Sequence, residues 1–445
     1  MTNISRRKFL GKSALAASLA PLATSSLTSP FVRSVRAAEP GPNDKVRLGL
    51  IGCGGMGQGD LECFFLNPEV DCVVVCDVDD ARIAKGIEIC ESKRGKKPET
   101  VKDFRRVLDR KDVDVVLIAT PDHWHALPMV LACQAGKDVY VEKPLAKTID
   151  EGRAMLEAAK RHQRVVQMGS QWRSCKHIME AGEFIRSGKL GKVSIVRGWA
   201  YLDWLPSIGK PADCPPPAGV DYDMWLGPAA KRAFNPNRFH FNFRWFWDYA
   251  GGLMTDWGVH LINLALWGMG PEYPKSVISS GGRYVLTDNT ETPDSQIAVY
   301  EFPSYRMIFE HQVGNNLGPD RREHGVAFTG TDATLILDQS GWEVIPERTK
   351  KDAPSEKHTA RQDDQARVNH AGNFLECMRS RKPTVENFEI GHHVSTVAHL
   401  GNLAFRTTGR VEWDAASGSV VGNEAAQKLV SRQYREPWTL PYLNV

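Results

Sequence analysis

The sequence predicts an α/β protein of two domains: an N-terminal parallel sheet wound with helices, and a C-terminal α+β domain with a large, open, mostly antiparallel sheet. Short apolar runs alternate with helical stretches from Val46 to Met168, which is the rhythm of a parallel βαβ sheet. Beyond Ser187 the runs are longer and alternate polar with apolar residues, as in antiparallel strands with one wet face. At 445 residues and 42% hydrophobic, the chain is long enough for two cores.

Five short apolar runs are predicted to form the parallel strands, at 46–51, 71–76, 113–119, 138–141 and 164–168. We expect a helix at 178–187, then strands at 193–201, 296–302 and 306–313. Helical spacing returns at 365–379 and 391–406. Residues 203–242 are rich in proline and aromatic side chains and lack a clear period, so we expect an ordered loop over the functional site.

The first 37 residues are predicted to be a twin-arginine export signal, separate from the fold. Ser5-Arg6-Arg7-Lys8-Phe9-Leu10 precedes an apolar run at 14–27 that is too short and too polar to span a membrane. Val35-Arg36-Ala37 offers a cleavage site, which makes Ala38 the expected mature N-terminus. We therefore expect the twin-arginine machinery to export the protein to the periplasm, with no membrane association after cleavage.

Composition argues against nucleic-acid binding. Residues 1–37 carry six basic side chains and no acid, so their removal changes the formal net charge from +3 to −3. The remaining cationic cluster at 93–97 is typical of a solvated loop, and no basic patch is expected. Nine cysteines without a CxxC spacing predict mostly buried, free thiols.

A glycine-rich turn directly follows the first strand. The run from Gly52 to Gly57 reads Gly-Cys-Gly-Gly-Met-Gly, which is GxGxxG between a strand and a helical segment at 56–65. A Cβ atom there would block the turn and the approach of a pyrophosphate, whose charge backbone N–H groups at a helix N-terminus can bind. We therefore predict a Rossmann domain over residues 43–170, with the dinucleotide held by Gly52, Gly54, Gly55, Met56 and Gly57.

An acid ends the second strand at the position where the adenosine ribose is usually held. Asp77 lies about 20 residues after the glycine turn, and its carboxylate can accept hydrogen bonds from ribose hydroxyls. Asp79 and Asp80 add negative charge, and no basic side chain precedes Arg82. A 2′-phosphate would be repelled, so the sequence favours NAD over NADP.

Two further segments carry groups suited to acid–base chemistry. Glu142-Lys143-Pro144 follows the fourth strand, at the carboxyl edge where open α/β sheets bind ligands. Asp256 and His260 are four residues apart and share one face of a predicted helix. An acid beside an imidazole can orient it and raise its basicity.

With these motifs the chain resembles the glucose–fructose oxidoreductase, inositol dehydrogenase and rhizopine-catabolism family over nearly all of residues 45–411. The Glu142-Lys143-Pro144 motif is the feature most specific to this family. The resemblance implies a catalytic set in which Lys143 lies beside the reacting hydroxyl, Asp256 is the substrate-side acid, and His260 accepts or returns the hydroxyl proton. It also implies cofactor-side positions for Glu142, at the nicotinamide ribose, and for Thr120, Pro121 and His125, with His125 in a structural role.

Substrate contacts are predicted from two aromatic segments. Gln171, Trp172 and Arg173 follow the fifth strand, and Arg244 and Trp247 precede the Asp256 helix. They offer donors and flat faces suited to a sugar ring, although core packing is an equally good interpretation of the aromatic residues. Residues 171–445 are accordingly expected to bind a sugar or polyol. The exposed face of their open antiparallel sheet is expected to pack in a homo-oligomer.

The leading hypothesis is an exported oxidoreductase that transfers a hydride from a secondary hydroxyl of a sugar, glycoside or cyclitol to NAD, which is expected to be tightly bound. Some relatives in the resembling family oxidise a sugar at C3 only transiently, in order to eliminate a glycosidic bond; others are noncatalytic regulators that bind NAD. A competing interpretation makes His123 and His125 ligands of a transition metal, completed by Asp256 or His260. We expect no metal.

Overall fold

The computed structural model describes residues 45–203, 207–350, 352–360 and 365–443. The predicted export signal at 1–37 and its cleavage site lie outside these residues. Within the described ranges, every helix falls short of the length and apolarity needed to cross a membrane.

The first sheet has six parallel strands in the order β3-β2-β1-β4-β5-β6. Its elements are β1 Val46–Ile51, α1 Gly55–Phe64, β2 Val70–Cys76, α2 Asp80–Arg94, β3 Glu99–Val101, α3 Phe104–Leu108, β4 Val115–Ile118, α4 Ala126–Gln134, β5 Asp138–Val141, α5 Ile149–Arg161 and β6 Val166–Met168. The four residues of β4 and of β5 are buried, as expected of strands covered by helices on both faces. The strand order reverses between β1 and β4, and ligands bind at such a switch point.

The second sheet has ten strands in the order β14-β13-β12-β11-β7-β10-β9-β8-β15-β16. Its elements are α6 Lys176–Arg186, β7 Ile195–Leu202, α7 Tyr222–Leu226, α8 Leu253–Met269, β8 Ser276–Gly282, β9 Ser295–Glu301, β10 Arg306–Val313, β11 His324–Thr329, β12 Ala333–Asp338, β13 Gly341–Pro346, β14 Glu356–Thr359, α9 Ala366–Ser380, α10 Phe388–Arg406, β15 Val411–Asp414, β16 Ser419–Val421 and α11 Glu424–Lys428.

The fold class predicted from the sequence is confirmed, with one refinement. Every neighbouring pair in the ten-stranded sheet is antiparallel except β7 and β10, which run parallel. Ala298 and Tyr300 of β9 are buried, whereas Ile297, which precedes them and points to the opposite face, is 46% exposed, so one face of the sheet packs on the core and the other is open. Helix α8 contacts β7, β10 and β11 and lies within the core.

The segment before α8 is ordered by aromatic packing, as the sequence predicts. The described part of the loop, residues 207–242, contains α7 and short 3-10 helices at Pro236–Arg238 and His240–Trp245. The ring of Trp225 packs 5.3 Å from Phe239 and 4.8 Å from Tyr249, measured between centroids. This packing fixes one wall of the cavity described below.

Candidate active site

A cavity of about 470 Å³ lies at the carboxyl edge of the parallel sheet. Its floor is formed by the turns after β1, β2, β4 and β5. Met224 and Trp225 of α7 and the 3-10 helix His240–Trp245 form the opposite wall, and Asp256 in the first turn of α8 reaches it as well. Both halves of the fold thus contribute to one site.

The glycine turn is shaped to hold a phosphate group. Gly52 has φ +94°, and a Cβ there would lie 2.7 Å from the backbone of Ala119, while a Cβ on Gly57 would lie 2.0 Å from the carbonyl oxygen of Gly52. These two glycines make the tight turn possible. Gly54 and Gly55 face open space at the start of α1, with no protein atom within 4 Å of an added Cβ. A dinucleotide pyrophosphate fits this cradle at the positive end of the helix.

Asp77 lies at the cavity where the sequence predicts the ribose acid. Its Oδ2 accepts a hydrogen bond of 2.7 Å from the backbone N–H of Cys53, and its Oδ1 accepts one of 3.0 Å from that of Asp79. Burial raises the pKa of Asp77 to about 6, although these hydrogen bonds oppose the rise. The carboxylate is therefore oriented by the glycine turn itself.

Basic residues also reach this end of the cavity, which the sequence argument for NAD did not anticipate. Arg82 and Lys102 both line it beside Asp77. Lys102 is paired with Asp80, with 2.8 Å between Nζ and Oδ1, so its charge is largely compensated. Asp77 must therefore provide the preference for NAD, although the basic side chain of Arg82 lines the same end of the cavity.

The centre of the site is an ion pair between Lys143, after β5, and Asp256, in α8. The two side chains are 10% and 12% exposed. Burial alone would raise the pKa of Asp256, but the charges of Lys143 and Arg244 outweigh burial and hold this pKa well below its usual range. Arg244 Nε lies 3.5 Å from the same carboxylate oxygen. Asp256 is therefore ionised, and it keeps the Lys143 ammonium in place.

His260 lies one turn beyond Asp256 on α8, as predicted, but it is not among the described residues that line the cavity. Its ring stacks on Trp172 with 4.6 Å between centroids, and Nδ1 lies 3.4 Å from the hydroxyl of Ser170. Burial, reinforced by the charge of Lys143, lowers the pKa of His260 to about 3. The imidazole is therefore neutral at ordinary pH, and it is a weaker base than a free imidazole, because burial outweighs the basicity that the neighbouring Asp256 was expected to add.

Asp122 is a cavity residue that the sequence reasoning missed. Its carboxyl is buried, lines the cavity, and has no side-chain hydrogen bond to any residue that the structure describes. Burial raises its pKa to about 7, although Arg244 and Lys143 oppose the rise. The available signal was the position of an acid directly after β4, within the Thr-Pro-x-x-x-His segment. The site thus holds two carboxyls with opposite pKa shifts, Asp122 and Asp256.

These opposite shifts predict opposite effects of pH on stability. The pKa of Asp122 is raised, so its contribution to stability is lost as pH rises from about 4 to about 7, and Asp122→Asn should become increasingly more stable than the wild type over that range. The pKa of Asp256 is lowered, so Asp256→Asn should be less stable than the wild type at neutral pH, by a margin that shrinks only below about pH 4. Urea unfolding of the nucleotide-free proteins across this range measures both trends. If the stability of the two variants relative to the wild type changed with pH in the same direction, the opposite pKa shifts of the two carboxyls would be contradicted.

The other predicted cofactor residues lie around the turns after β4 and β5. Thr120, Pro121 and Glu142 line the cavity. Burial raises the pKa of Glu142, and the neighbouring Asp60, also buried, has a strongly raised pKa because of burial and the charge of Glu142. The two carboxyls can therefore share a proton beneath the site.

The histidines offered as metal ligands are hydrogen-bonded to backbone carbonyls. His125 Nδ1 lies 2.7 Å from the oxygen of Pro144 and Nε2 lies 2.9 Å from that of Thr120, while His123 Nε2 lies 2.9 Å from that of Trp225. No group of three or more potential metal ligands occurs among the described residues. His125 joins the turns after β4 and β5, behind the cavity wall.

The predicted substrate residues separate into two groups. Arg244 lines the cavity, whereas Gln171, Trp172, Arg173 and Trp247 are not among its described lining residues. Arg173 is buried and paired with Glu386 at 3.2 Å, beneath the ring of Trp267. Trp247 packs under Arg406 at a second cavity. Trp172 packs on Trp257, His260 and His324, away from the described cavity lining.

Solved structures show the same fold. Levoglucosan dehydrogenase in complex with NADH and levoglucosan superposes with a TM-score of 0.65 at 19% identity, covering 83% of this chain and 99% of that one. The WlbA dehydrogenase from Bordetella pertussis in complex with NADH and UDP-GlcNAcA gives a TM-score of 0.62 at 16% identity, with the same coverage.

Curated relatives match over shorter segments. An alpha-N-acetylgalactosaminidase of Shewanella oneidensis is 28% identical over 208 residues, which cover 43% of this chain and 45% of the relative. Levoglucosan dehydrogenase of Pseudarthrobacter phenanthrenivorans is 36% identical over 109 residues, covering 24% of this chain and 28% of the relative. The matched segments thus span less than half the length of these relatives.

Family models cover most of the described residues. Residues 46–170 match the oxidoreductase family with an NAD-binding Rossmann fold, which confirms the predicted fold and its cofactor. Residues 169–277 and 340–440 match the C-terminal alpha/beta domain of the same family, and residues 229–336 match a GFO/IDH/MocA C-terminal domain. The chain belongs to the GFO/IDH/MocA family of NAD-binding oxidoreductases.

Proposed function

We propose that the protein oxidises a secondary hydroxyl of a sugar, glycoside or cyclitol, with NAD as hydride acceptor. The observation that carries this proposal is the buried Lys143–Asp256 pair, which lines the same cavity as the Gly54–Gly55 cradle. A cationic donor held at one end of a dinucleotide cavity is suited to bind a carbinol oxygen. When bound, NAD supplies the nicotinamide ring that accepts the hydride.

The protein residues control the hydroxyl proton in this proposal. Lys143 donates a hydrogen bond to the carbinol oxygen and stabilises negative charge on it as the proton leaves. His260 is neutral at ordinary pH and its Nε2 has no hydrogen bond to a described residue, so it can accept that proton and later return it. Asp256 holds the Lys143 side chain in position through their ion pair, and Arg244 adds a second donor beside it.

A substrate screen tests the proposed reaction. NAD-loaded protein is mixed with monosaccharides, cyclitols and glycosides, and the absorbance of reduced nicotinamide is followed alongside analysis of the products. Formation of a ketone with one equivalent of reduced nicotinamide supports net oxidation.

A second candidate is glycoside cleavage through transient oxidation at C3, favoured by the similarity to an alpha-N-acetylgalactosaminidase. The same residues would then first accept and later return the hydroxyl proton, with no net change in the nicotinamide. Release of the aryl alcohol from an aryl glycoside, without accumulation of reduced nicotinamide, distinguishes this candidate from net oxidation. Retention of Lys143 favours net or reversible oxidation, because the resembling NAD-dependent glycosidases often lack this lysine.

We also propose that the protein is exported to the periplasm as a folded, NAD-loaded enzyme and assembles there as a homo-oligomer. The support for export is the Ser5-to-Leu10 motif. The support for assembly is the open sheet face, where Ile278 and Ile297 are 49% and 46% exposed on neighbouring strands.

Replacing both Arg6 and Arg7 by lysine is expected to retain the folded, NAD-loaded protein in the cytoplasm, because the pair is read by the export receptor. Cell fractionation with a nucleotide assay in each fraction measures this, and Lys8→Arg provides a control outside the pair. Normal export of the double variant, or export of wild-type protein without nucleotide, would contradict the proposal.

A further inference from the structure

A second cavity, of about 220 Å³, lies between the start of α5, the C-terminal half of α10 and the segment that follows α11. No residue that lines this cavity also lines the dinucleotide cavity, so the two are separate. Three cationic side chains line it, Lys147, Arg406 and Arg432, against a single acid, Asp248. The cavity is therefore strongly cationic for its size.

Two of these cations lack a directly paired acid. Arg432 is paired with Glu151 at 2.6 Å, while Asp248 and Glu291 are both paired with Arg232, at 2.8 Å and 2.9 Å, and their charges also act on Arg406. Neither Lys147 nor Arg406 forms a hydrogen bond or an ion pair with any residue that the structure describes. Lys147 thus has no directly paired acid, Arg406 is opposed by carboxylates that are paired elsewhere, and a net positive charge remains at the cavity.

Burial makes this arrangement costly for the empty protein. Burial, together with the charges of Arg432 and Arg406, lowers the pKa of Lys147 to about 8. Burial also lowers the pKa of Arg406, whose guanidinium stacks 4.8 Å above the ring of Trp247. Lys147 is half-buried, whereas Arg406 is exposed at the edge of the cavity. A half-buried cation is normally paired, and an anion in the cavity would provide the missing partner.

The remaining lining suits an anion. Helix α5 begins at the cavity with Thr148 and Ile149, so the positive end of its dipole adds to the two side chains. His399 is neutral, because burial lowers its pKa to about 4, and its Nε2 is hydrogen-bonded to the carbonyl of Ala146. The volume exceeds that of one water molecule several times and is sufficient for a small polyatomic ion.

We propose that this second cavity is a binding site for a small oxyanion with two negative charges, such as phosphate, sulfate or a short dicarboxylate, held by Lys147 and Arg406. Its position links it to the active site. Lys147 is four residues after Lys143, and its charge also acts on Asp122, which lines the dinucleotide cavity. A bound anion therefore compensates a charge that would otherwise act on Asp122.

The test uses the mature protein saturated with NAD, so that the pyrophosphate cradle is filled and cannot capture the added ion. Phosphate, sulfate and malonate are compared with chloride at equal ionic strength, by calorimetric titration and by melting temperature. We expect saturable binding of one dianion per chain, with a matching rise in melting temperature. Tighter binding of phosphate and sulfate identifies a tetrahedral oxyanion, and tighter binding of malonate identifies a dicarboxylate.

Lys147→Met and Arg406→Met should each weaken anion binding about tenfold or more, the scale of one lost hydrogen bond to a charged group. The exposed Lys192→Met removes the same charge elsewhere and should leave binding unchanged. In anion-free buffer, Lys147→Met should melt no lower than the wild type, because it removes a half-buried cation that has no directly paired acid. Absence of saturable binding, binding that both cavity variants retain, or a destabilised Lys147→Met in anion-free buffer would each overturn the proposal.

Discussion

Lys143→Met is expected to lower turnover by about 100-fold or more while leaving NAD affinity unchanged. The ammonium of Lys143 is the cationic donor paired with Asp256, and the glycine cradle that would hold the pyrophosphate is formed by a different segment. Methionine has a similar length and fills the same volume without the charge. Steady-state rates on an identified substrate, together with calorimetric titration of NAD, measure the two effects separately.

Loss of the charge also leaves Asp256 buried beside Arg244 alone, so a second variant separates catalysis from folding. Lys143→Arg retains a cation for Asp256 and should stay folded, yet turnover should still fall, because the larger, planar guanidinium cannot place its donors where the compact ammonium would bind the carbinol oxygen. Lys85→Met, which breaks an exposed pair with Glu88, is the matched control for loss of one lysine. Wild-type turnover by both Lys143 variants would remove this residue from the mechanism.

Gly54→Val is expected to abolish measurable NAD binding while the nucleotide-free protein keeps its melting temperature. The backbone of Gly54 has φ −71° and ψ −176°, which any residue adopts, and an added Cβ would meet no protein atom within 4 Å. The side chain would instead occupy the space left for the pyrophosphate. Gly54→Ala should give a smaller loss, of about tenfold or more, equivalent to about 1.4 kcal/mol.

The control is Gly372→Ala in α9, where an added Cβ also meets open space but no ligand is expected. This variant should bind NAD as the wild type does and should be slightly stabilised, because alanine is favoured over glycine within a helix. NAD affinity unchanged in Gly54→Val would place the dinucleotide away from the glycine turn.

The parallel sheet and its cofactor site could be predicted because their signals are local. The signals lie within about 30 residues of one another: the buried strand β1, the glycines of the turn and Asp77. Each meets a steric or charge requirement for binding a dinucleotide. Strand β3 was missed because it has only three residues and none is buried, so no apolar run marks it. The parallel pairing of β7 with β10 was missed because the alternating pattern of a strand does not specify the direction of its neighbour.

The substrate side could be predicted only in part, because its contacts join distant positions. Lys143 and Asp256 are 113 residues apart, and only the family resemblance brought them together. Arg173 has the same donors as Arg244, but the carboxylate of Glu386 holds it in the core. Asp122 was passed over because a single acid in a turn has no periodicity or spacing that sets it apart from a solvated residue.

The measurement that most directly tests the central claim is the single-turnover absorbance of the bound nicotinamide. NAD-loaded protein is mixed rapidly with substrate, and reduced nicotinamide is recorded beside product formation. Hydride transfer at this site predicts that the nicotinamide is reduced in the wild type, lastingly for net oxidation or transiently for glycoside cleavage, and that Lys143→Met reduces it about 100-fold more slowly. Conversion of substrate to product without reduction of the nicotinamide at any time would contradict the account.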